Sequence, residues 1–507
     1  MGLKAAASHD RLLSNLALLI FAALLLVVGR HHEPWFDEAQ AWLIARESTP
    51  WSLITQGVRY EGTPALWHLL LWAVQRLGLP YGGLWLVSSA LACAGAWIVL
   101  NKSPFPLLLR IGLIFSYFFA YQYSVVARSY ALDLLFLPLL AWLFEARLSR
   151  PFAYATTLAL IANTNAHSFV LSAVLGLEWL WAAREQLFRR NVHVAPAMLF
   201  FGLAALAAIF QAFPPKDINF TDPDPGHISL LHALALGTEA FIDRGDVWSL
   251  DAPGIVSRII GAILTVLVLI PAVLLWTKAK RIFLAIGLFG GLIGFSALKY
   301  GNYWHAGIIF LTFVFCLWIS WEKRLELAPW KRRWLTVALA GLLGVQVWCT
   351  AAAGVRDIVQ VYSPARDVAA TLSEPRRAHP QATLGVAGFK AFAIAPYFPI
   401  NIISNYEGGA PRPAYYLWRR SEQPIPGLNE TQWRQTVSAG YDRLLLSSYN
   451  LMGWNGPVRY SADAHAAGYC QTASFSGAMI WKTYVLESDQ MTLFDRCTAN
   501  KVGSHAP

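Results

Sequence analysis

The sequence predicts an all-α polytopic membrane domain of about eleven transmembrane helices over residues 1–352, followed by a small extracytoplasmic α/β domain over 353–507. Three observations carry this expectation. Hydrophobic residues make up 56% of the 507 and charged residues only 14%, against roughly 25% charged in soluble proteins. The apolar residues gather in runs near the ~20 needed to cross hydrocarbon. The formal net charge is nevertheless +10, with Lys and Arg standing singly or in short clusters between the runs, as cytoplasmic loops require. Nucleic-acid binding would instead gather the cations on a polar surface interleaved with aromatics, so nucleic acid is not an expected partner; the lipid bilayer is.

The first run, Leu12 to Gly29, follows Lys4 and Arg11 and leads into His31-His32-Glu33-Pro34 without a small-residue cleavage site, which makes it a retained helix. Further spans are read at 82–100, 105–122, 131–144, 152–168, 169–181, 194–213, 259–276, 282–298, 304–321 and 334–352. The stretch 64–77, interrupted by His68 and Gln75, is too short to cross and belongs to juxtamembrane helices in an outer loop, 30–81. Thr63 is its expected N-cap and Pro64 its first residue. With that stretch outside the count, Lys102/Arg110, Arg147/Arg150, Arg184/Arg189/Arg190, Lys278/Lys280/Arg281 and the Lys323–Arg333 cluster share the N-terminal side, which the positive-inside rule makes cytoplasmic. The acidic segment around Asp217 and Glu239 and the C-terminal domain then lie outside.

After Ala352, Arg, Asp, Asn, Pro and Gly become frequent and no run is long enough to cross. Helical stretches are expected near 365–372 and 430–437, and strands at 382–386, 400–404 and 443–447. A hairpin is expected from 471–475 and 478–485 about a Ser476-Gly477 turn. Cys470 and Cys497 form either a disulfide or two free thiols; Cys93, Cys316 and Cys349 lie in apolar runs and act as small hydrophobes.

Ionisable residues at the outer ends of spans are costly beside lipid and line cavities. Five places hold them: Asp37-Glu38 after the first span; Glu61 and His68 around the short helix; Arg128-Ser129-Tyr130 with Asp133; the patch Asn163-Thr164-Asn165-Ala166-His167-Ser168; and Lys299 to His305, including Tyr303. Each has an ordinary explanation singly, as a helix cap, an interface anchor or a satisfied polar residue. All five share one face, which a common pocket explains most simply. Paired carboxylates supply a base, and Arg and Lys stabilise charge growing on a leaving phosphate. The set suits transfer of a group from a lipid phosphate.

Phe36-Asp37-Glu38-Ala39 after the first span, Tyr60-Glu61-Gly62-Thr63-Pro64-Ala65-Leu66 entering a short helix, Ala127-Arg128-Ser129-Tyr130 opening a span and His167 ending another resemble the GT-C class of integral membrane glycosyltransferases. The nearest families in that class are the protein O-mannosyltransferases and aminoarabinose lipid A transferases. The likeness covers roughly the first 350 residues in layout and is specific mainly in the first 170. It implies a bacterial inner-membrane protein, a polyprenyl-phosphate sugar donor, a glycan, lipid or protein acceptor, and inverting single displacement. It makes Asp37 the general base with Glu38 its acceptor-positioning neighbour, or the reverse. Arg128 would hold the donor phosphate, with Lys299 and His305 matching by position only. Where such families present paired prolines in the second loop motif, Glu61-Gly62-Thr63-Pro64 stands here. No cofactor is implied; a divalent metal is compatible but not demanded, and no His-Glu-x-x-His spacing occurs. Other readings are a transporter or flippase of lipid-linked saccharides, or a polysaccharide polymerase or ligase whose diphosphate donor would enlist Arg46 or Arg59. In the outer domain, Tyr415, Tyr416, Trp418, Arg419 and Arg420 suit either sugar stacking or ordinary packing.

Overall fold

The computed structural model describes residues 2–188, 193–218, 230–242, 252–378, 382–406, 414–418, 430–450 and 456–497. Helices dominate, and six are long and apolar enough to cross a membrane: His9–Gly29, Tyr81–Lys102, Ala166–Phe188, Val194–Ala212, Ile259–Lys278 and Pro329–Val359. Leu19, Leu203, Ile263 and Trp348 are exposed on their faces, as lipid-facing residues would be. The other five expected spans are shorter helices, so length and hydropathy support six crossings rather than eleven. Local chemistry explains one of these breaks. The helix Leu107–Ile114 ends where Ser116 Oγ donates to the Leu113 carbonyl at 2.6 Å, and a wide π-turn, Phe118–Gln122, follows. Ala131–Leu143 contains Pro138.

The polar patch at 163–168 is a turn and a helix start, not the end of a span. Asn165 Oδ1 accepts from the Ser168 N–H at 2.9 Å in the manner of an N-cap. His167 therefore opens the helix Ala166–Phe188 instead of closing the one before. The short helix likewise begins later than its sequence suggests, at Leu66. Thr63 is not its cap, because its hydroxyl turns to the Thr164 carbonyl at 3.4 Å while the Ala65 N–H is taken by Gln211 at 2.8 Å.

The C-terminal part forms a four-stranded sheet of β1 (Leu384–Ala387), β2 (Arg443–Asn450), β3 (Tyr469–Trp481) and β4 (Tyr484–Arg496), ordered β1-β2-β4-β3. β1 and β2 are parallel and the other pairs antiparallel. Helices Ala365–Ala378 and Glu430–Ser438 match the expected stretches, and Gly456–Ala466 adds a third. The expected strand at 400–404 is absent. Side chains occupy the edge of β1 in its place: Asn405 bonds both the N–H and the carbonyl of Val386, and Ser404 Oγ accepts from the Leu384 N–H.

The β3–β4 hairpin turns at Lys482-Thr483, not at Ser476-Gly477. Gly477 lies inside β3 because a Cβ there would stand 2.8 Å from the Tyr362 carbonyl oxygen and 2.7 Å from Pro364. Lys482 takes the left-handed conformation, φ 51°, and is fully buried with Glu239. Its Nζ donates to Glu239 Oε2 at 2.9 Å and to the carbonyls of Glu239 and Ile242. Beside it Trp481 packs edge-on to Tyr117, Phe118 and Tyr303. The hairpin tip is thus embedded in the apolar helical part, and one hydrophobic core runs through both. At the other end of the hairpin Cys470 and Cys497 are disulfide-bonded; Cys93, Cys316 and Cys349 are in no disulfide among the described residues.

Candidate functional site

The site is built on the helix Phe36–Glu47, whose N-cap is Trp35 and whose first turn holds Asp37 and Glu38. Neighbours on a helix point about 100° apart, so the two carboxylates enter different surroundings. Glu38 turns inward and is fully buried. Its Oε1 accepts from the Ala127 N–H at 2.7 Å, and its Oε2 accepts from the Trp35 N–H at 3.2 Å and from His32 Nε2 at 3.0 Å. His32 Nδ1 lies 2.9 Å from Asp357 Oδ2, which also accepts from the Tyr121 hydroxyl. With a carboxylate at each nitrogen the ring carries both protons. Burial opposes that charge, but Asp357 and Glu38 outweigh it and raise His32 to about 10.

Asp37 is the accessible member, with 29% of its side chain exposed, and pairs with Arg128 Nη2 at 2.8 Å. Arg128 is framed by the rings of Trp35, Tyr130 and Trp304, at 5.7, 5.3 and 5.5 Å. Its Nη1 is buried without a hydrogen-bond partner. Burial raises the Asp37 carboxyl above the usual range, opposed by Arg128 and Lys390. Glu61 faces the same region: burial pushes it up to about 7, and Asp37 adds to the shift while a hydrogen bond from Gln40 opposes it. Gln40 Nε2 reaches Glu61 Oε1 at 2.9 Å and the Tyr416 carbonyl at 2.6 Å.

The remaining candidates divide. The Tyr130 hydroxyl meets His305 Nε2 at 3.0 Å, and His305 stacks on His167 with centroids 3.8 Å apart. That imidazole pair therefore adjoins Arg128 through Tyr130. Asp133 is buried among Ser168, Asn165 and Thr164, all hydrogen-bonded to it, and secures the turn. Tyr303 is buried against Trp481. Lys299 is exposed at the end of the helix Ile282–Leu298, with no ion pair among the described residues. His68 is buried, its Nδ1 lacks a partner, and burial lowers it to about 4; it bonds to none of the other candidates. Arg46 binds Glu47 and the Phe398 carbonyl, and Arg59 binds the Phe213 carbonyl. Tyr416 is fully buried and Trp418 packs against Phe36 and Phe389, so both serve as packing; Arg419 and Arg420 lie outside the described residues.

Sequence reasoning missed what the C-terminal part brings. Lys390 lies in the helical turn Phe389–Tyr397, and its Nζ is 5.9 Å from the Trp35 ring centroid. It pairs with Glu487 of β4, and Asp489 is buried on the same strand. Burial raises Asp489 to about 6, opposed by Lys390 and reinforced by Glu487. The one available signal was a single Lys in the apolar run Val386 to Ala395. Among the described residues no three His, Cys, Asp or Glu side chains are arranged to hold a metal ion. Compared with family models, with curated proteins and with solved structures, the chain matches none.

Proposed function

We propose that this protein is a GT-C-like membrane glycosyltransferase that moves a sugar from a polyprenyl-phosphate donor to a hydroxyl of a glycan, lipid or protein acceptor, with inversion. The bilayer is crossed by the six long helices, and the five shorter apolar helices complete the expected eleven passages. The N-terminus is then cytoplasmic and the reaction takes place on the outer face of a bacterial inner membrane. The observation that carries the reading is the Asp37–Arg128 pair: a part-exposed carboxylate against a guanidinium with a buried, unused N–H.

Arg128 offers its planar fork to the donor phosphate. As the phosphate takes those donors, Asp37 loses its counter-ion and is released to act as a base. Asp37 accepts the acceptor hydroxyl proton, the acceptor oxygen attacks the anomeric carbon, and the bond from that carbon to the phosphate oxygen breaks. The electron pair leaves with the phosphate, where Arg128 stabilises it. The new glycosidic bond lies opposite the departing one, which gives inversion. Neither step requires a metal.

The test uses purified protein, a polyprenyl-phosphate sugar and a responsive acceptor. Asp37→Asn should lower kcat by at least about a hundredfold, the contribution of a positioned base, and Arg128→Lys should weaken donor binding. Full transfer by Asp37→Asn refutes the assignment.

A further inference from the structure

Three polar atoms are buried without a hydrogen-bond partner where Asp37 and Lys390 approach each other: Trp35 Nε1 and Arg128 Nη1 on the Asp37 side, and Asp489 Oδ1 on the Lys390 side. Buried polar groups are nearly always paired, so such a gathering marks where a ligand's own polar atoms belong. Two come from the apolar helical part and the third from the C-terminal sheet. The segments meet directly: the rings of Phe36 and Phe389 are 4.8 Å apart, and Arg128 and Lys390 flank the same indole, at 5.7 and 5.9 Å from the Trp35 ring centroid.

The two sides differ in chemistry. On one, Arg128 presents a spare donor, which suits a phosphate. On the other, Lys390 Nζ is 2.5 Å from Glu487 Oε2, and Asp489, two residues along β4 and only 3% exposed, lies on the same strand face. With Glu487 paired to that ammonium and Asp489 adding a second carboxylate nearby, this side disfavours a phosphate. It suits a polyol, whose hydroxyls donate to carboxylates and accept from an ammonium.

We propose that the C-terminal domain supplies the subsite for the transferred sugar, with Glu487 and Asp489 accepting from its hydroxyl or amino groups and Lys390 donating to its oxygens. This rests on the transferase reading: a sugar tethered through its phosphate at Arg128 extends across Trp35 toward Lys390. It gives the C-terminal domain a direct part in choosing the donor.

The experiment measures affinity of the full-length protein in nanodiscs for a short-chain polyprenyl phosphate, bare and carrying a hexose, a pentose or an amino-pentose. The wild type should bind at least one sugar-bearing form about tenfold more tightly than the bare lipid, the scale of a charge-assisted hydrogen bond. Asp489→Asn and Glu487→Gln should each erase most of that increment and leave bare-lipid affinity unchanged. Thermal unfolding monitors the fold, and Glu487→Gln carries the test if Asp489→Asn is unstable. An increment that survives both variants, or no increment with any of the three sugars, overturns the proposal. If the wild type fails to bind even the bare lipid, the transferase reading fails instead. Binding of free methyl glycosides then decides the subsite: loss in Asp489→Asn supports it, and no loss overturns it.

Discussion

The buried array Glu38–His32–Asp357 should make stability fall as pH rises above neutrality. In the folded protein His32 is raised to about 10 from 6.5, so between these values the folded state holds a proton that the unfolded state has lost. The sign follows: the contribution is full below 6.5, declines with rising pH, and is gone above the folded value. A single retained proton gives a slope of about −1.4 kcal/mol per pH unit, and the whole interval corresponds to about 5 kcal/mol. Asp357→Asn removes the largest of the interactions that raise His32, so its decline should end at a lower pH and be smaller overall. Chemical unfolding in detergent micelles from pH 6 to 10, wild type against Asp357→Asn, measures the difference. The subtraction cancels other groups that titrate in the same window. Parallel curves across that range would show that His32 does not hold its proton between the two carboxylates.

Two further outcomes test how the parts are joined. Lys482→Met leaves Glu239 buried without its cation and should cost about 3–5 kcal/mol; adding Glu239→Gln should recover much of that, whereas a single-variant loss under about 1 kcal/mol in SDS unfolding would deny that the hairpin tip is anchored there. At Gly95 a Cβ would stand 2.0 Å from the Leu134 carbonyl oxygen, so Gly95→Ala must push apart the helices Tyr81–Lys102 and Ala131–Leu143, costing about 1–3 kcal/mol. An unchanged melting temperature would contradict that close approach.

What the sequence shows plainly is whatever depends on composition over a long window. Runs of twenty apolar residues become long helices because burying backbone polar groups in hydrocarbon leaves no other local solution. Asp37 and Arg128 were each legible as candidates for a related reason, since charges at the ends of such runs are costly beside lipid, but their pairing was not. Features set by contacts across the chain were not. Ser476-Gly477 has turn composition, yet Gly477 answers to Tyr362 and Pro364, while the real turn falls on a lysine in a left-handed conformation whose ammonium binds Glu239. His32 and Asp357 are 325 positions apart, and nothing local in either segment announces their pairing. Lys390 was visible only as an oddity in an apolar run, and its place beside Trp35 required the fold of the C-terminal part.

Helical phase resolves the carboxylate pair that the sequence left symmetrical. Asp37 and Glu38 differ by one position, but that rotation gives Asp37 a part-exposed guanidinium partner and gives Glu38 three donors in the interior. Two of those donors are the backbone N–H groups of Trp35 and Ala127, the first two residues before Asp37 and the second immediately before Arg128. Glu38 therefore ties together the segments of chain that carry Asp37 and Arg128. A buried charge is a poor source of net stability, but here it fixes the spacing of two residues that no regular element joins. The adjacent carboxylates thus divide the work. In the proposed transferase Asp37 meets the ligand, and Glu38 holds Asp37 and Arg128 where they act on it together.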